Sequence, residues 1–145
     1  MLTFELATAL RRTGLAWTPA PGDRFVITTD GLHEDIYHVS EMTVEVHEFV
    51  DGVVIGFNGT TEWALDSIDL GDVLWFPRED QLRAALGPAF VRLETVQDGY
   101  VVTVASGGRE LRALDIDAER AYARALVRVL ADATPPPSST SRSTP

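Results

Sequence analysis

The densest group of side chains able to hold a metal ion or move a proton is His33, Glu34, Asp35 and His38. Imidazole nitrogens and carboxylates are donors for a divalent cation, and the same groups serve as general acids and bases. The order is H-E-D-x-x-H, with the histidines five positions apart. The metalloprotease pattern H-E-x-x-H needs a spacing of four, which puts both rings on one helical face. Gly31 before the group and Ile36-Tyr37 after it point to a turn rather than a helix. A solvated acidic turn therefore outweighs a weak divalent-metal site at His33 and His38. The third histidine, His47, alternates with apolar residues in the run Val44–Phe49 and reads as a sheet-face side chain.

Nucleophilic chemistry has little to build on. There is no cysteine, so thiol catalysis, thiolate zinc sites and disulfides are excluded. There is no lysine either, and all 12 basic residues are arginine, which excludes a Schiff base and a P-loop lysine. No G-x-S-x-G elbow occurs, and only Ser40 has a histidine, His38, close in sequence. No glycine-rich phosphate loop is present. No catalytic residue and no cofactor emerge from these patterns, and the chain reads as a non-enzymatic protein.

The most distinctive stretch is Val54–Leu82, which carries Asn58, Glu62, Trp63, Asp66, Asp69, Trp75, Phe76 and Arg78. Tryptophan and arginine are favoured at the centres of protein interfaces. Asn58, Glu62, Trp63 and Arg78 could instead line a pocket for a small molecule or an enzymatic site. The plainer alternative is a connector whose tryptophans are packed and whose Arg78 pairs with a neighbouring acid.

Charge separates these readings further. The chain has 22 acidic residues against 12 basic ones, a net charge of -10. Between Arg24 and Arg78 there is no basic residue but eleven acids, from Asp30 to Asp72. A phosphate backbone is repelled by such a surface, so ordinary nucleic-acid binding is not expected. A basic protein is the partner that residues 30–72 would attract, acting on an adaptor, a regulator or an immunity-like protein. A solvated face kept for solubility is the simpler use of the same charge.

The elements that must position these groups follow an α+β order. Thr3 caps a helix over residues 2–13 that Gly14 ends. Strands are expected over 24–28, 36–39, 44–49 and 53–57, the last two joined through Asp51-Gly52. Thr61 can cap a short helix over 62–68, with a strand as the alternative. An apolar run over 73–76 leads into a helix at 78–86, with Pro77 at its first position and Gly87-Pro88 at its end. Hairpin strands over 90–96, 100–105 and 109–114 flank Gln97-Asp98-Gly99 and Gly107-Gly108. Asp117 caps a last amphipathic helix reaching 132 at most, with Arg120, Arg124 and Arg128 as a ridge opposite its apolar side. The expected fold is one α+β domain over 1–133, with an antiparallel sheet of about five to six strands packed by the first and last helices. Residues 134–145 are proline, serine and threonine with one arginine, a composition that cannot bury enough surface to order itself.

With 145 residues, 45% of them hydrophobic, the chain suits a water-soluble domain. No apolar run approaches the ~18 residues of a membrane span, and no signal peptide is recognisable. A cytoplasmic location without membrane contact is the expectation.

Three segments carry a resemblance: Asp23–Ile27, Met42–His47 and, above all, Phe57–Ser67, FNGTTEWALDS. In these the chain resembles a group of small actinobacterial proteins that carry the label pilus assembly protein CpaE. The resemblance covers nearly everything except the tail. Trp75–Leu82 is also similar to a W-L-P-R-x-D-Q-L pattern of small phage and bacterial proteins. Neither group supplies catalytic residues to carry over. The label does not imply an ATPase of the MinD/ParA kind, because the chain has no G-x-x-x-x-G-K and no lysine.

Overall fold

A computed structural model describes residues 1–29, 35–39, 44–49, 52–57 and 67–135. The first helix, α1 (Phe4–Arg12), starts where the Thr3 hydroxyl accepts the Leu6 N–H at 3.2 Å. It stops in a Schellman motif. Gly14 takes φ +99°, which lets Leu15 N–H reach the Leu10 carbonyl at 3.0 Å and Gly14 N–H reach Arg11 at 3.1 Å.

The strands are β1 (Arg24–Ile27), β2 (Tyr37–His38), β3 (Val44–Phe49), β4 (Gly52–Phe57), β5 (Ser67–Asp69), β6 (Val73–Phe76), β7 (Phe90–Val96), β8 (Gly99–Ser106) and β9 (Arg109–Asp115). They form three antiparallel sheets of three strands, ordered β2-β1-β6, β3-β4-β5 and β7-β8-β9. The fold is α+β as expected, but one sheet of five to six strands is not what these residues form. A short 3-10 turn, Leu70–Asp72, joins β5 to β6.

Four expected boundaries move. Ser67 and Ile68 belong to β5, not to a helix; residues 61–66 lie outside the described residues. Gly52 already pairs with Phe49, so it opens β4 instead of sitting inside the turn; Asp51 lies outside the described residues. Gly99 likewise pairs with Val96, leaving Gln97-Asp98 as the two-residue loop. Pro77 precedes the second helix, α2 (Glu79–Leu86), instead of opening it. Arg78 is the cap residue, and its N–H donates to Gln81 Oε1 at 3.0 Å. Of the terminal segment 134–145, residues 136–145 lie outside the described residues.

The last helix, α3 (Ala118–Ala133), is the centre of the packing. Asp117 caps it by accepting the Arg120 N–H at 3.0 Å. It packs on β8 and β9 and also on α1 and α2. Its buried side is Ala121, Tyr122, Ala123, Ala125 and Leu126, so the apolar stripe is broader than the 3.6-residue spacing alone indicates. One core collects Leu10, Val26, Leu74, Phe76, Leu82, Val102, Val104, Tyr122 and Leu126. Fully burying each large aliphatic side chain there contributes about 2 kcal/mol. No helix of the described residues is long and apolar enough to cross a membrane.

The arginine ridge of α3 is tied back to the third sheet, although Arg124 and Arg128 remain exposed. Arg120 and Arg124 both reach Asp115 at the end of β9, at 3.0 and 2.8 Å, and Arg128 donates to the Arg112 carbonyl at 3.5 Å. The Asp115 side chain is only 9% exposed. Burial alone would raise its pKa. The Arg124 hydrogen bond, the Asp117 N–H and the two guanidinium charges outweigh that and hold it below the usual carboxylate value.

Two turns of the third sheet use glycine differently. Gly107 and Gly108, at φ +59° and +78°, are the central pair of a tight hairpin between Ser106 and Arg109. At Gly99 the constraint is space: a Cβ there would lie 2.4 Å from the Asp115 carbonyl oxygen. β7 also carries a bulge between Phe90 and Arg92.

Gly99→Ala should cost about 2 kcal/mol in urea unfolding, and Gly107→Ala, with open space around it, about 1 kcal/mol. Equal losses would remove the close approach as the cause. The lowered Asp115 pKa also fixes a pH dependence. A carboxylate that titrates lower when folded stabilises the protein above its ordinary value of 3.8, and that stability fades as pH falls through the folded value. Asp115→Asn should therefore lower the thermal midpoint at pH 7, with the gap to wild type closing below pH 3.8. A gap that does not change with pH would contradict this.

Candidate functional site

The first sheet has two covered faces. Period-two alternation sends Val26, Leu74 and Phe76 into the main core. Phe25 and Val73 point the other way and form a second cluster with Val39, Trp17 and Tyr37. Phe25 and Trp75 sit opposite each other in the β1–β6 register. Trp17 lies over this face, 6.0 Å from the Trp75 ring and inclined by 9°, and 6.1 Å from Phe25. Phe25 stacks in turn on Tyr37 at 5.8 Å.

Trp17 is held there by a buried carboxylate. Asp23 is 2% exposed. Its Oδ2 accepts the indole N–H of Trp17 at 2.9 Å and the Ala20 N–H at 3.1 Å. Its Oδ1 accepts Gln81 Nε2 at 2.7 Å and Arg78 Nη1 at 3.2 Å. Four donors thus converge on one anion, as a buried charge requires. The backbone joins in: Val39 N–H donates to the Asp23 carbonyl at 2.8 Å, which holds β2 beside β1. A second pin is the part-buried pair of Arg24 with Glu119, at 2.8 Å, between β1 and the start of α3.

These contacts leave a cleft of about 310 Å³ between the end of α1 and β6. Leu10, Leu15, Trp17, Val73, Leu74, Trp75 and Pro77 give it apolar walls, and Arg11, Asp69 and Gly71 are its polar part. Arg11 donates to the carbonyls of Val73 and Gly71 at 3.2 and 3.3 Å. Asp69 Oδ1 accepts the Gly71 N–H at 2.8 Å, shaping the 3-10 turn. The indole Nε1 of Trp75 is buried and has no hydrogen-bond partner among the described residues.

Of the residues singled out in the sequence, Asp69 and Trp75 meet at this cleft. Arg78 does not line it. It is committed to Asp23 and, at 3.1 Å, to Asp80. The Asp80 hydrogen bond outweighs the cost of burial and, with Asp23, raises the guanidinium pKa above its already high ordinary value. Asn58, Glu62, Trp63 and Asp66 lie outside the described residues, as do His33 and Glu34. Asp35 and His38 are exposed, and no group of three metal-ligating side chains occurs among the described residues.

Sequence reasoning missed Asp23, Trp17 and Arg11 as site residues. Asp23 follows Pro21-Gly22, where an aspartate reads as a turn residue in water. The available signal was the pairing of two distinctive segments. Asp23–Ile27 and Trp75–Leu82 touch along β1–β6 and through the Asp23–Arg78 and Asp23–Gln81 bonds. What the cleft offers chemically is binding: an indole wall, aliphatic sides, one cation and one carboxylate.

Asp23→Ala should cost about 3 kcal/mol, because it leaves the indole, amide and guanidinium donors without their acceptor. Near-UV circular dichroism from Trp17 and Trp75 should collapse with it. Retention of both the signal and the stability would show the carboxylate to be dispensable. No family model matches the chain, and no curated protein and no solved structure matches it.

Proposed function

We propose that the protein acts by binding another protein, with residues 30–72 meeting a cationic surface. The observation that carries this reading is how the charges are divided. Arg24, Arg78, Arg92, Arg112, Arg120 and Arg124 each lie within ion-pair distance of an acid outside the 30–72 segment. Asp35, Asp69 and Asp72 are exposed and have no arginine partner among the described residues. The acid-rich segment also builds the β3-β4-β5 sheet. Among the described elements, its strands pack chiefly on one another and on the 3-10 turn. An uncompensated field of this kind speeds encounter with a basic partner and disfavours nucleic acid. The resemblance to the small pilus-labelled proteins accords with an accessory role and adds no activity. A cytoplasmic location fits this reading and awaits a fractionation experiment.

The test is a pull-down from lysate with nuclease treatment, with captured proteins identified by mass spectrometry. A basic partner should bind at low salt and leave at about 0.5 M, where the screening length is roughly 4 Å. Charge reversal at Asp35, Glu62, Asp66 and Asp72 should abolish its capture while leaving the circular dichroism spectrum unchanged. Capture that survives both the salt and the reversal would refute the role of the acidic segment.

A further inference from the structure

We infer that the cleft between α1 and β6 binds a single apolar α-amino acid in its zwitterionic form. This goes beyond the protein-binding reading and does not depend on it. The walls are apolar on every side that Leu10, Leu15, Trp17, Val73, Leu74, Trp75 and Pro77 provide, so the occupant has an apolar body. Its volume of about 310 Å³ is at the small end of ligand sites, which suits a single amino acid better than a nucleotide or a cofactor.

Charge defines the rest of the ligand. Arg11 and Asp69 both line the cleft, and neither has an ion-pair partner among the described residues. They are not paired with each other, although they share one pocket wall with Gly71. Arg11 lies on two backbone carbonyls, which fixes its guanidinium while leaving its charge unanswered by any carboxylate among the described residues. Asp69 has one oxygen on the Gly71 N–H, and its other oxygen makes no bond to a described residue. A carboxylate meets the first group and an ammonium the second. The Trp75 ring lines the cleft, so its indole signal reports an occupant. A monoanion would leave Asp69 unmatched, and a monocation would leave Arg11 unmatched.

The experiment uses the full chain labelled with ¹⁵N, read by its indole N–H signals and by calorimetry. Trp75→Phe identifies the Trp75 signal. The probes are L-phenylalanine, L-phenylalaninamide, which lacks the carboxylate, and N-acetyl-L-phenylalanine, which lacks the ammonium. L-Phenylalanine should shift the Trp75 signal, and each analogue should bind at least about tenfold more weakly. Asp69→Asn, which keeps an acceptor for Gly71, should erase the penalty for the acetylated analogue. Arg11→Gln should erase the penalty for the amide. Because Arg11 also ties α1 to β6, Leu15→Trp serves as a second variant that fills the cleft without touching either charge, and it should abolish binding. The inference is overturned if L-phenylalanine does not bind up to about 10 mM. It is equally overturned if the three probes bind alike, or if Leu15→Trp leaves binding intact.

Discussion

A single buried anion organises the half of the molecule that carries the cleft. The Asp23 carboxylate gathers donors from the segment before β1, from the start of α2 and from the turn at Ala20. A carboxylate removed from water is tolerated only when its lone pairs are filled, and here four donors fill them. That requirement dictates geometry. Trp17 must lie across the β1–β6 face for its N–H to reach Oδ2, and Gln81 must turn its amide so that one end caps α2 while the other meets Asp23. The cleft beside Trp17 and Trp75 is a consequence of this arrangement.

A second division of labour concerns arginine. With no lysine, every permanently charged basic side chain is a planar fork able to hold two acceptors at once. Arg24 spans the Pro77 carbonyl and Glu119, Arg78 spans Gly22, Asp23 and Asp80, and Arg11 spans Gly71 and Val73. These side chains stitch helix ends to strand ends where the backbone itself has no partner to offer. Asp35, Asp69 and Asp72 of the 30–72 segment have no arginine partner among the described residues. The excess negative charge therefore belongs to the part of the chain that forms the β3-β4-β5 sheet.

Local chemistry was legible in the sequence, and long-range choice was not. Thr3, Gly14 and Asp117 announce helix ends because a cap depends on residues three or four positions away. The β7-β8-β9 meander was readable for the same reason, since Gly107-Gly108 and Gln97-Asp98 join neighbouring strands. By contrast, alternation in β1, β3 and β6 says that a strand has two faces but not which strand lies beside it. Three sheets instead of one follow from partners chosen far along the chain, as β1 pairs with β6 across 45 intervening residues or more. Asp23 was illegible because nothing in Pro-Gly-Asp separates a turn aspartate in water from one enclosed by residues 55 and 58 positions away. Arg11 was hidden by the same logic, since an arginine in a helix's last turn already has a local use.

Dividing the nine described strands among three sheets multiplies strand borders, and each unpaired border is a place where another chain could add a strand. β2 is only two residues long, too short to template a partner. The β7 border is interrupted by the bulge between Phe90 and Arg92, which breaks the even spacing of free amides. The β9 border carries Arg109, Glu110 and Arg112, whose charges would have to be stripped of water before a strand could dock. On these three borders, pairing with a strand of another chain is disfavoured.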